Sequence, residues 1–450
     1  MLNGLKHALQ RHYHAMRNLG GAHYSRAAAV GRKLPKPLRW TLKFGFLCVG
    51  TLAWLGDAAL YALSLVRPHP PSCPPASQPE IIFVAFTGHT RPLKQLAALK
   101  GLGTHRIVFF GHMFDPIQFS RFCHEVVAFR NVWHLKRLTR RRRPLSFHVF
   151  GQPSWTAKAV IETAAAPVVF DIVDSVAVMY GRDSRTHAAD IADERFCYEH
   201  ADGVVYKSPE IEFLKIWYDI QAPTIHMLDY CLEEFFAPEE TRPISEETGE
   251  CHLFYTGAVF PMSFPRETHC YSQFADIARI ICDQGIHFHI FPSLVFRTDF
   301  SEYENLAREH PFFHWEPFLP VDELNRRCAR YDLNTKLHFY RGTRANTPEK
   351  VATSTGNKLF SGFESGVPML VSAENKYEKD LVEQWGAGFA IEEKDLPHLK
   401  TILQTVDLKA MRQRVLQLRR TELNMRNHIQ RLTDLYRQIQ KGPGRRQAKG

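Results

Sequence analysis

Short apolar strand patterns alternate with helical patterns through most of this chain, and the alternation is interrupted once. Five strand patterns precede the interruption: 81–86, 106–110, 146–150, 167–173 and 203–208. Five more follow it: 251–257, 288–293, 312–318, 336–340 and 367–372. Strands that alternate with helices favour a parallel sheet covered on both faces, and a chain of 450 residues suits two such domains. The sequence therefore predicts two doubly wound, Rossmann-like α/β domains, 81–234 and 251–405, joined by the acidic linker 235–250.

An apolar segment precedes the first domain. Residues 44–66 contain one charged residue, Asp57, and we predict a membrane-associated helix over 41–66. The arm 1–40 before it repeats apolar residues at helical spacing with basic residues between them, which predicts a basic amphipathic helix. The segment 67–80 contains six prolines, which predicts an extended linker. A membrane span, a helix lying in the membrane surface and a helix buried in a protein core all remain open for 41–66.

Positive charge is concentrated at the two ends of the chain. Residues 1–72 carry ten Lys and Arg against one acid, and residues 409–450 carry twelve against two. The part between them has 35 Lys and Arg against 44 Asp and Glu. Positive ends suit an anionic membrane surface, whereas an acidic body without a nucleic-acid-binding motif argues against nucleic acid as a partner. We therefore expect a membrane-associated protein, with a basic C-terminal helix and tail over 406–450. The scattered cysteines and the lack of an N-x-S/T sequon favour a reducing compartment, so we expect the body of the protein in the cytoplasm.

The cysteines and histidines show no pattern of a metal site. The nine cysteines are scattered without a CxxC, and the 23 histidines are dispersed without an HExxH. We therefore expect no metal cofactor. A run of basic residues, 136–143, is a candidate second contact with lipid head groups.

Two segments of the second domain have the composition of an anion site. Gly257 ends the strand pattern 251–257, where a glycine lets a phosphate or a backbone come close. The polar turn Ser354–Gly356, which includes Thr355, leads into a helix that opens with Lys358 in its first turn. Backbone amides at a helix start and a lysine beside them bind anions. Ligands of open α/β sheets bind at the carboxyl ends of the strands, so we expect both segments in one cleft.

The second segment resembles the carboxyl domain of GT-B glycosyltransferases, especially those related to family 4. Those enzymes often read N-K-L-F-E-Y, then small residues, then G-x-P and an apolar run; residues 357–371 here read NKLFSGFESGVPMLV. Residues 255–257, 312–333, 201–214 and 168–175 are similar to further units of that family. The resemblance covers roughly 80–405 and implies two Rossmann-like domains that face each other across a cleft.

What the resemblance implies is a nucleotide-sugar donor in the second domain and an acceptor in the first. Lys358 would neutralise the donor diphosphate, with Thr355 and the neighbouring amides beside it. The family's acid that holds the ribose falls at Ser361 here, and Glu364 is a candidate substitute one helical turn later. Family members also carry basic residues after the glycine turn, for which Arg266 is the nearest candidate. The nucleotide sugar is a co-substrate, and no cofactor is implied.

Three residues of the first domain are candidates for catalysis. Asp171 and Asp174 follow a buried strand and face opposite sides, so one of them could point into the cleft. His89 lies in the turn after the first strand, where a histidine can act as a base or bind a sugar hydroxyl. For either aspartate, capping of the next segment is an equally good explanation.

The resemblance and the charged, apolar N-terminus together predict a glycosyltransferase. It would move a sugar from a nucleotide-diphosphate donor to a lipid-linked or surface-polysaccharide acceptor at the membrane. A nucleotide-sugar epimerase on the same fold is one alternative, although its soluble substrates would not need a membrane arm. A catalytically degenerate GT-B scaffold in polysaccharide assembly is the other, and Ser361 in place of the family's acid favours it.

Overall fold

A computed structural model of the protein describes residues 36–66, 78–265, 269–293, 299–340 and 346–441. Most of the predicted N-terminal arm and of the proline-rich linker therefore lies outside the described residues, and so does Arg266. The first described element is a long helix, α1 (Lys36–Val66).

The first domain is a parallel sheet of seven strands in the order β3-β2-β1-β4-β5-β6-β7. Its strands are β1 (Glu80–Thr87), β2 (Arg106–Met113), β3 (Glu125–Ala128), β4 (Ser146–Phe150), β5 (Val168–Asp171), β6 (Gly203–Tyr206) and β7 (Thr224–His226). Its helices are α2 (Thr90–Gly101), α3 (Pro116–Ser120), α4 (Val132–Arg140), α5 (Ser154–Ile161), α6 (Val176–Tyr180), α7 (Ala188–His200) and α8 (Glu210–Trp217).

The second domain is a parallel sheet of six strands in the order β10-β9-β8-β11-β12-β13. Its strands are β8 (His252–Gly257), β9 (His287–Pro292), β10 (Phe313–Trp315), β11 (Leu333–Lys336), β12 (Met369–Ser372) and β13 (Gly388–Ile391). Its helices are α9 (Ser245–Thr248), α10 (Ala275–Cys282), α11 (Ser301–Glu309), α12 (Val321–Cys328), α13 (Pro348–Thr353), α14 (Asn357–Glu364), α15 (Lys376–Gln384), α16 (Leu399–Thr405) and α17 (Leu408–Arg420). The prediction of two parallel-sheet α/β domains is confirmed.

The apolar runs of the sequence form the central strands because those strands are buried on both faces. Along β1, Ile81 and Phe83 pack into one cluster of buried side chains, while Ile82 and Val84 pack into the cluster on the other face. A strand with helices on both sides has no polar face, which explains why its sequence reads as a continuous apolar run and not as an alternation.

The C-terminal segment is not the single basic helix that the sequence predicted for 406–450. It forms α17, then α18 (Met425–His428) and α19 (Gln430–Lys441). The apolar side of α19 joins the core of the first domain through Leu432, Leu435, Tyr436 and Ile439. The chain therefore returns from the second domain to the first, and the pattern of apolar residues on α19, not its net charge, decides where it lies.

Residues 41–66, predicted as a membrane-associated helix, belong to α1, which packs against α4 of the first domain. Asp57 on α1 is 1% exposed and accepts hydrogen bonds from Arg130 (2.8 Å) and Asn131 (2.9 Å). The rings of Trp54 and Tyr61 contact that of Trp133, with centroids 5.9 and 5.5 Å apart. Among the described residues, no helix is both long enough and apolar enough to cross a membrane. The predicted helix is thus not supported as a membrane span.

Replacing Asp57 with alanine should weaken the attachment of α1 to α4. The change leaves Arg130 and Asn131 without their partner, and the loss of hydrogen bonds to a charged group costs about 2 kcal/mol. Hydrogen exchange should therefore become faster in residues 50–66 and stay unchanged in the strands of the first domain. Ser64→Ala is the matched control, because the Ser64 hydroxyl bonds only within α1, to the Tyr61 carbonyl. Unchanged exchange in Asp57→Ala would show that the ion pair does not hold the helix.

Candidate functional site

Two of the predicted anion-binding residues meet at the carboxyl edge of the second sheet. Gly257 ends β8 and Lys358 lies in the first turn of α14. Gly257 has a φ of 138°, which L side chains rarely adopt, and a Cβ there would collide with Cε of Lys358. The glycine is therefore needed twice, for its backbone conformation and for the space that the lysine occupies.

The Lys358 ammonium group is held by uncharged partners. Its Nζ lies 2.8 Å from the Tyr255 hydroxyl and 4.7 Å from the centroid of the Tyr255 ring. Burial lowers the pKa of Lys358 to about 8, and the more distant Glu378 and Asp174 only partly offset this effect. Within the described part of the chain, no carboxylate lies within ion-pair distance of Lys358. A cation kept in this way is a ready partner for an anionic ligand.

Asn334 fixes the start of α14. It lies on β11, and its side-chain amide donates a hydrogen bond of 2.8 Å to the Lys358 carbonyl. Asn334 can come this close to α14 because residue 362, one turn further along the helix, is a glycine. A Cβ at position 362 would collide with the Asn334 side chain. The sequence analysis missed Asn334, because nothing in the local pattern marks it as the support of a helix that lies 24 residues away.

Three buried polar atoms in and near the turn before α14 lack a hydrogen-bond partner among the described residues. They are the Thr355 hydroxyl, the Asn357 side-chain carbonyl and Nε2 of His338. Burial, together with Lys358 and Lys336, lowers the pKa of His338 well below its usual value, so this ring is neutral. Buried polar atoms without partners are rare in folded proteins. Their concentration beside Lys358 indicates a place that a polar ligand would complete.

A second lysine lies near the same turn but is already paired. Nζ of Lys336 is 2.7 Å from a carboxylate oxygen of Glu378. The other oxygen of Glu378 accepts a hydrogen bond of 2.9 Å from the Gly356 amide. The Gly356 amide, which the sequence analysis included among the diphosphate donors, is therefore occupied by Glu378. No sequence pattern indicated Lys336 or Glu378, since both lie outside the stretch 354–371 that resembles the family.

Asp171 is not a cleft residue, and its prediction as a catalytic group is wrong. It is fully buried and accepts hydrogen bonds from Arg91 (2.9 Å) and Gln95 (2.9 Å). His148 lies 3.1 Å from the same carboxylate. Burial raises the pKa of Asp171, but the charge of Arg91 and the hydrogen bond with His148 outweigh it, so the net pKa is lowered. The residue is an internal anion that ties α2 to β4 and β5.

Asp174 lies at the contact between the two domains. Its Oδ1 is 2.7 Å from Nζ of Lys350 on α13 of the second domain and 3.9 Å from Nζ of Lys207. Lys350 also binds Glu210 of the first domain, at 2.6 Å. Burial raises the pKa of Asp174, but Lys207 and Lys350 outweigh that effect and lower it. A carboxylate stabilised as an anion by two lysines is a poor base, so its evident role is to join the domains.

His89 is a neutral ring with one nitrogen that is unpartnered among the described residues, and it stays the candidate for the base. It precedes α2, directly after β1, and its Nδ1 has no hydrogen-bond partner in the part of the chain that the structure describes. Burial lowers the pKa of His89 to about 4, and the charge of Asp229 opposes this effect only in part. The ring is therefore neutral at physiological pH, but it is a weak base while its pKa stays this low, because a general base works best with a pKa near the operating pH. Asp171 and Asp174 are both engaged in ion pairs, whereas His89 has no ion-pair partner among the described residues.

Glu364 cannot hold a ribose in the way that the sequence analysis proposed. It is fully buried, pairs with Lys94 at 2.8 Å and accepts a hydrogen bond of 2.9 Å from the Leu232 amide. Ser361 lies three residues after Lys358 and therefore on the same side of α14, where it is partly exposed. The binding roles of Ser361 and Thr355 stay predictions. Among the described residues, no group of three or more His, Cys, Asp or Glu is placed to hold a metal ion.

No protein-family model matches the chain, and no curated protein matches it. Solved structures do match over nearly their full length. Sucrose-phosphate synthase from Thermosynechococcus elongatus is 15% identical with a TM-score of 0.59, and the match covers 80% of this chain and 99% of that one. HepE from Anabaena, in complex with UDP-glucose, is 11% identical with a TM-score of 0.55, covering 81% and 98%. MnaA from S. aureus, with UDP, is 10% identical with a TM-score of 0.52, covering 81% and 99%. At these identities the likeness establishes the architecture: the chain has the GT-B glycosyltransferase fold.

Proposed function

We propose that this protein is a glycosyltransferase that moves a sugar from a nucleoside-diphosphate donor to a hydroxyl group of a lipid-linked or surface-glycan acceptor. The observation that carries the proposal is the Lys358 ammonium group, which is buried at the carboxyl edge of the second sheet and has, among the residues that the structure describes, Tyr255 as its one close partner. Burying a charge without a counter-charge is costly. A diphosphate would supply the missing negative charge.

The polar atoms around Lys358 suit the remainder of such a donor. The Thr355 hydroxyl can donate to a phosphate oxygen, and the Asn357 carbonyl can accept from a hydroxyl of the sugar or the ribose. Lys336 adds positive charge beyond Gly356, although Glu378 neutralises part of it. The site therefore combines anion binding with acceptors for hydroxyl groups, which a nucleotide sugar requires and a simple phosphate does not.

Uridine diphosphate is the nucleotide to test first. The HepE structure holds UDP-glucose, and the MnaA and TcCGT1 structures hold UDP. TcCGT1 has a TM-score of 0.51 to this chain at 11% identity. These likenesses support a uridine nucleotide without identifying the sugar that it carries.

His89 would act as the base of the reaction. Its neutral ring would take the proton of the acceptor hydroxyl while the acceptor oxygen forms a bond to the anomeric carbon of the sugar. The bond between that carbon and the diphosphate oxygen would break, and Lys358 would stabilise the charge on the departing diphosphate. Lys207 lowers the pKa of His89, Asp174 raises that of Lys358, and Nζ of Lys207 lies 3.9 Å from Oδ1 of Asp174.

A cavity between the domains is the proposed acceptor site. Its volume is about 580 Å³, and its walls come from α6 and the loop after it, from Trp217 at the end of α8, and from Thr347 and Glu349 near the start of α13. The rings of Tyr180 and Trp217 offer apolar surfaces for a sugar ring, and Arg182 and Glu349 offer polar contacts. Such a mixed lining suits a glycan better than a purely apolar molecule.

A catalytically degenerate scaffold is the second candidate. The observation in its favour is that α14 offers no acid for the ribose. Position 361, where the family has its acid, is a serine, and Glu364 is buried against Lys94. A scaffold would fail to bind any nucleoside diphosphate. An epimerase, in contrast, would bind UDP and convert UDP-sugars without an acceptor.

Replacing Lys358 with methionine should reduce the affinity for UDP at least tenfold, because hydrogen bonds between charged groups contribute about 1.5–3 kcal/mol. Isothermal titration calorimetry with UDP measures the effect. Lys376→Met is the matched control, since it removes the same charge from an exposed position on the neighbouring helix α15. Equal affinities in Lys358→Met and the wild type would remove Lys358 from the donor site.

The affinity for UDP should fall as the pH rises above the pKa of Lys358, which is about 8. Below that pH the ammonium group is already charged, whereas above it UDP binding must be coupled to the uptake of a proton. The dissociation constant should therefore rise about tenfold or more between pH of about 7.5 and about 9.5. In Lys358→Arg this rise should be absent, since arginine stays charged throughout. A rise of the same size in Lys358→Arg would assign the titration to another group.

Replacing His89 with alanine should abolish transfer while leaving UDP binding intact. General-base catalysis contributes about 100-fold or more to a rate, so incorporation of glucose from UDP-glucose into extracted lipid-linked glycans should fall by that factor. Mass spectrometry of the glycans measures the product, and calorimetry with UDP checks the donor site. A variant that transfers at the rate of the wild type would show that His89 is not the base.

A further inference from the structure

Helix α1 carries five exposed leucines, four of them on its outer side. Leu52, Leu55, Leu60, Leu63 and Leu65 have exposed fractions of 68%, 51%, 48%, 58% and 52%. They make up half of the ten large apolar side chains that are exposed in the described part of the chain, and they lie within 14 consecutive residues. Scattered exposed apolar residues are normal, but a contiguous apolar patch marks an interaction surface. At about 3.6 residues per turn, Leu52, Leu55, Leu60 and Leu63 share the side opposite Trp54 and Tyr61, and we call these four residues the leucine face.

The opposite side of α1 is already bound to the protein. Asp57, the one charged residue between positions 44 and 66, is buried against Arg130 and Asn131, and Arg137 lies 3.5 Å from the same carboxylate. Between positions 44 and 66 the helix therefore has its one charge on the inner side, against the first domain. The contacts with α4 and the residues before it involve Trp54, Asp57 and Tyr61, so the leucine face is the side of this segment that is open to a partner.

Exposed basic residues follow the helix on which α1 packs, and they indicate the chemistry of that partner. Helix α4, on which α1 lies, ends at Arg140, and the exposed Arg141 and Arg143 follow it. Lys36, Arg39 and Lys43 lie in the N-terminal part of α1 itself. An anionic surface complements this charge. A second copy of the chain would instead bring the same positive charges to the contact and be repelled.

We propose that the leucine face docks on an anionic lipid bilayer, with α1 lying in the plane of the membrane surface. The leucines would enter the boundary between head groups and acyl chains, and the arginines after α4 would contact the lipid phosphates. The first domain, bound to α1 through Asp57 and Trp133, would then be held at the membrane. This inference does not depend on the proposed function, since it requires neither a nucleotide nor a sugar.

Flotation of the full-length protein with vesicles tests the proposal. Vesicles of phosphatidylcholine with one third phosphatidylglycerol should bind the wild-type protein, and vesicles of phosphatidylcholine alone should bind it at least tenfold more weakly. Leu55→Ser combined with Leu63→Ser should lower binding to the anionic vesicles at least tenfold. Because both leucines are exposed, the variant should keep the thermal unfolding midpoint of the wild type and its affinity for UDP.

Ile216→Ser is the matched control, since Ile216 is 79% exposed on α8, away from α1, and this variant should bind vesicles like the wild type. Arg141→Glu combined with Arg143→Glu should weaken binding to anionic vesicles only. Equal vesicle binding by the double leucine variant and the wild type would overturn the proposal. So would a wild-type dimer that binds no vesicles and becomes a monomer in the double leucine variant, because the leucine face would then be a contact between copies.

Discussion

One buried arginine organises the carboxyl edge of the first sheet, and the candidate active site depends on it. The Arg91 guanidinium, fully buried on α2, donates to Asp171 at the end of β5, to the Met227 carbonyl and to Asp229 after β7. Breaking a buried pair of this kind is strongly destabilising, because it leaves a charge without a partner. The network fixes the start of α2 and therefore the position of His89, two residues before Arg91.

The local part of the site was predictable from the sequence, whereas its long-range partners were not. Gly257 and Lys358 were identified because a strand end and a helix start each carry a short pattern with a physical meaning. Asp171 and Glu364 were misassigned because no local pattern shows their partners. These partners, Arg91 and Lys94 on α2, lie far away in the sequence. A carboxylate after a strand looks the same in a sequence whether it faces a cleft or an arginine in the core.

The fold followed the apolar pattern closely except where polar side chains are buried. The strand expected at 336–340 lies instead at Leu333–Lys336, because Asn334 and Thr335 are buried in it and hide its strand pattern. Asn334 donates a hydrogen bond to the start of α14, and Thr335 donates one of 3.0 Å to the Phe254 carbonyl. Both polar side chains therefore make structural hydrogen bonds inside the protein. The short edge strands β3, β7 and β13 were missed, since four residues or fewer give too weak a pattern. The return of α19 to the first domain was equally invisible, because only the tertiary fold shows which core its apolar side completes.

The central claim is that the carboxyl edge of the second sheet binds a nucleoside diphosphate. The most direct test is hydrogen exchange of the wild-type protein with and without UDP, followed by mass spectrometry. The account predicts slower exchange in 254–258, 333–338 and 354–360, which surround Lys358, and no change in α1. No protection at any of these segments with UDP, GDP, ADP, CMP or dTDP, or protection confined to another part of the molecule, would contradict the claim.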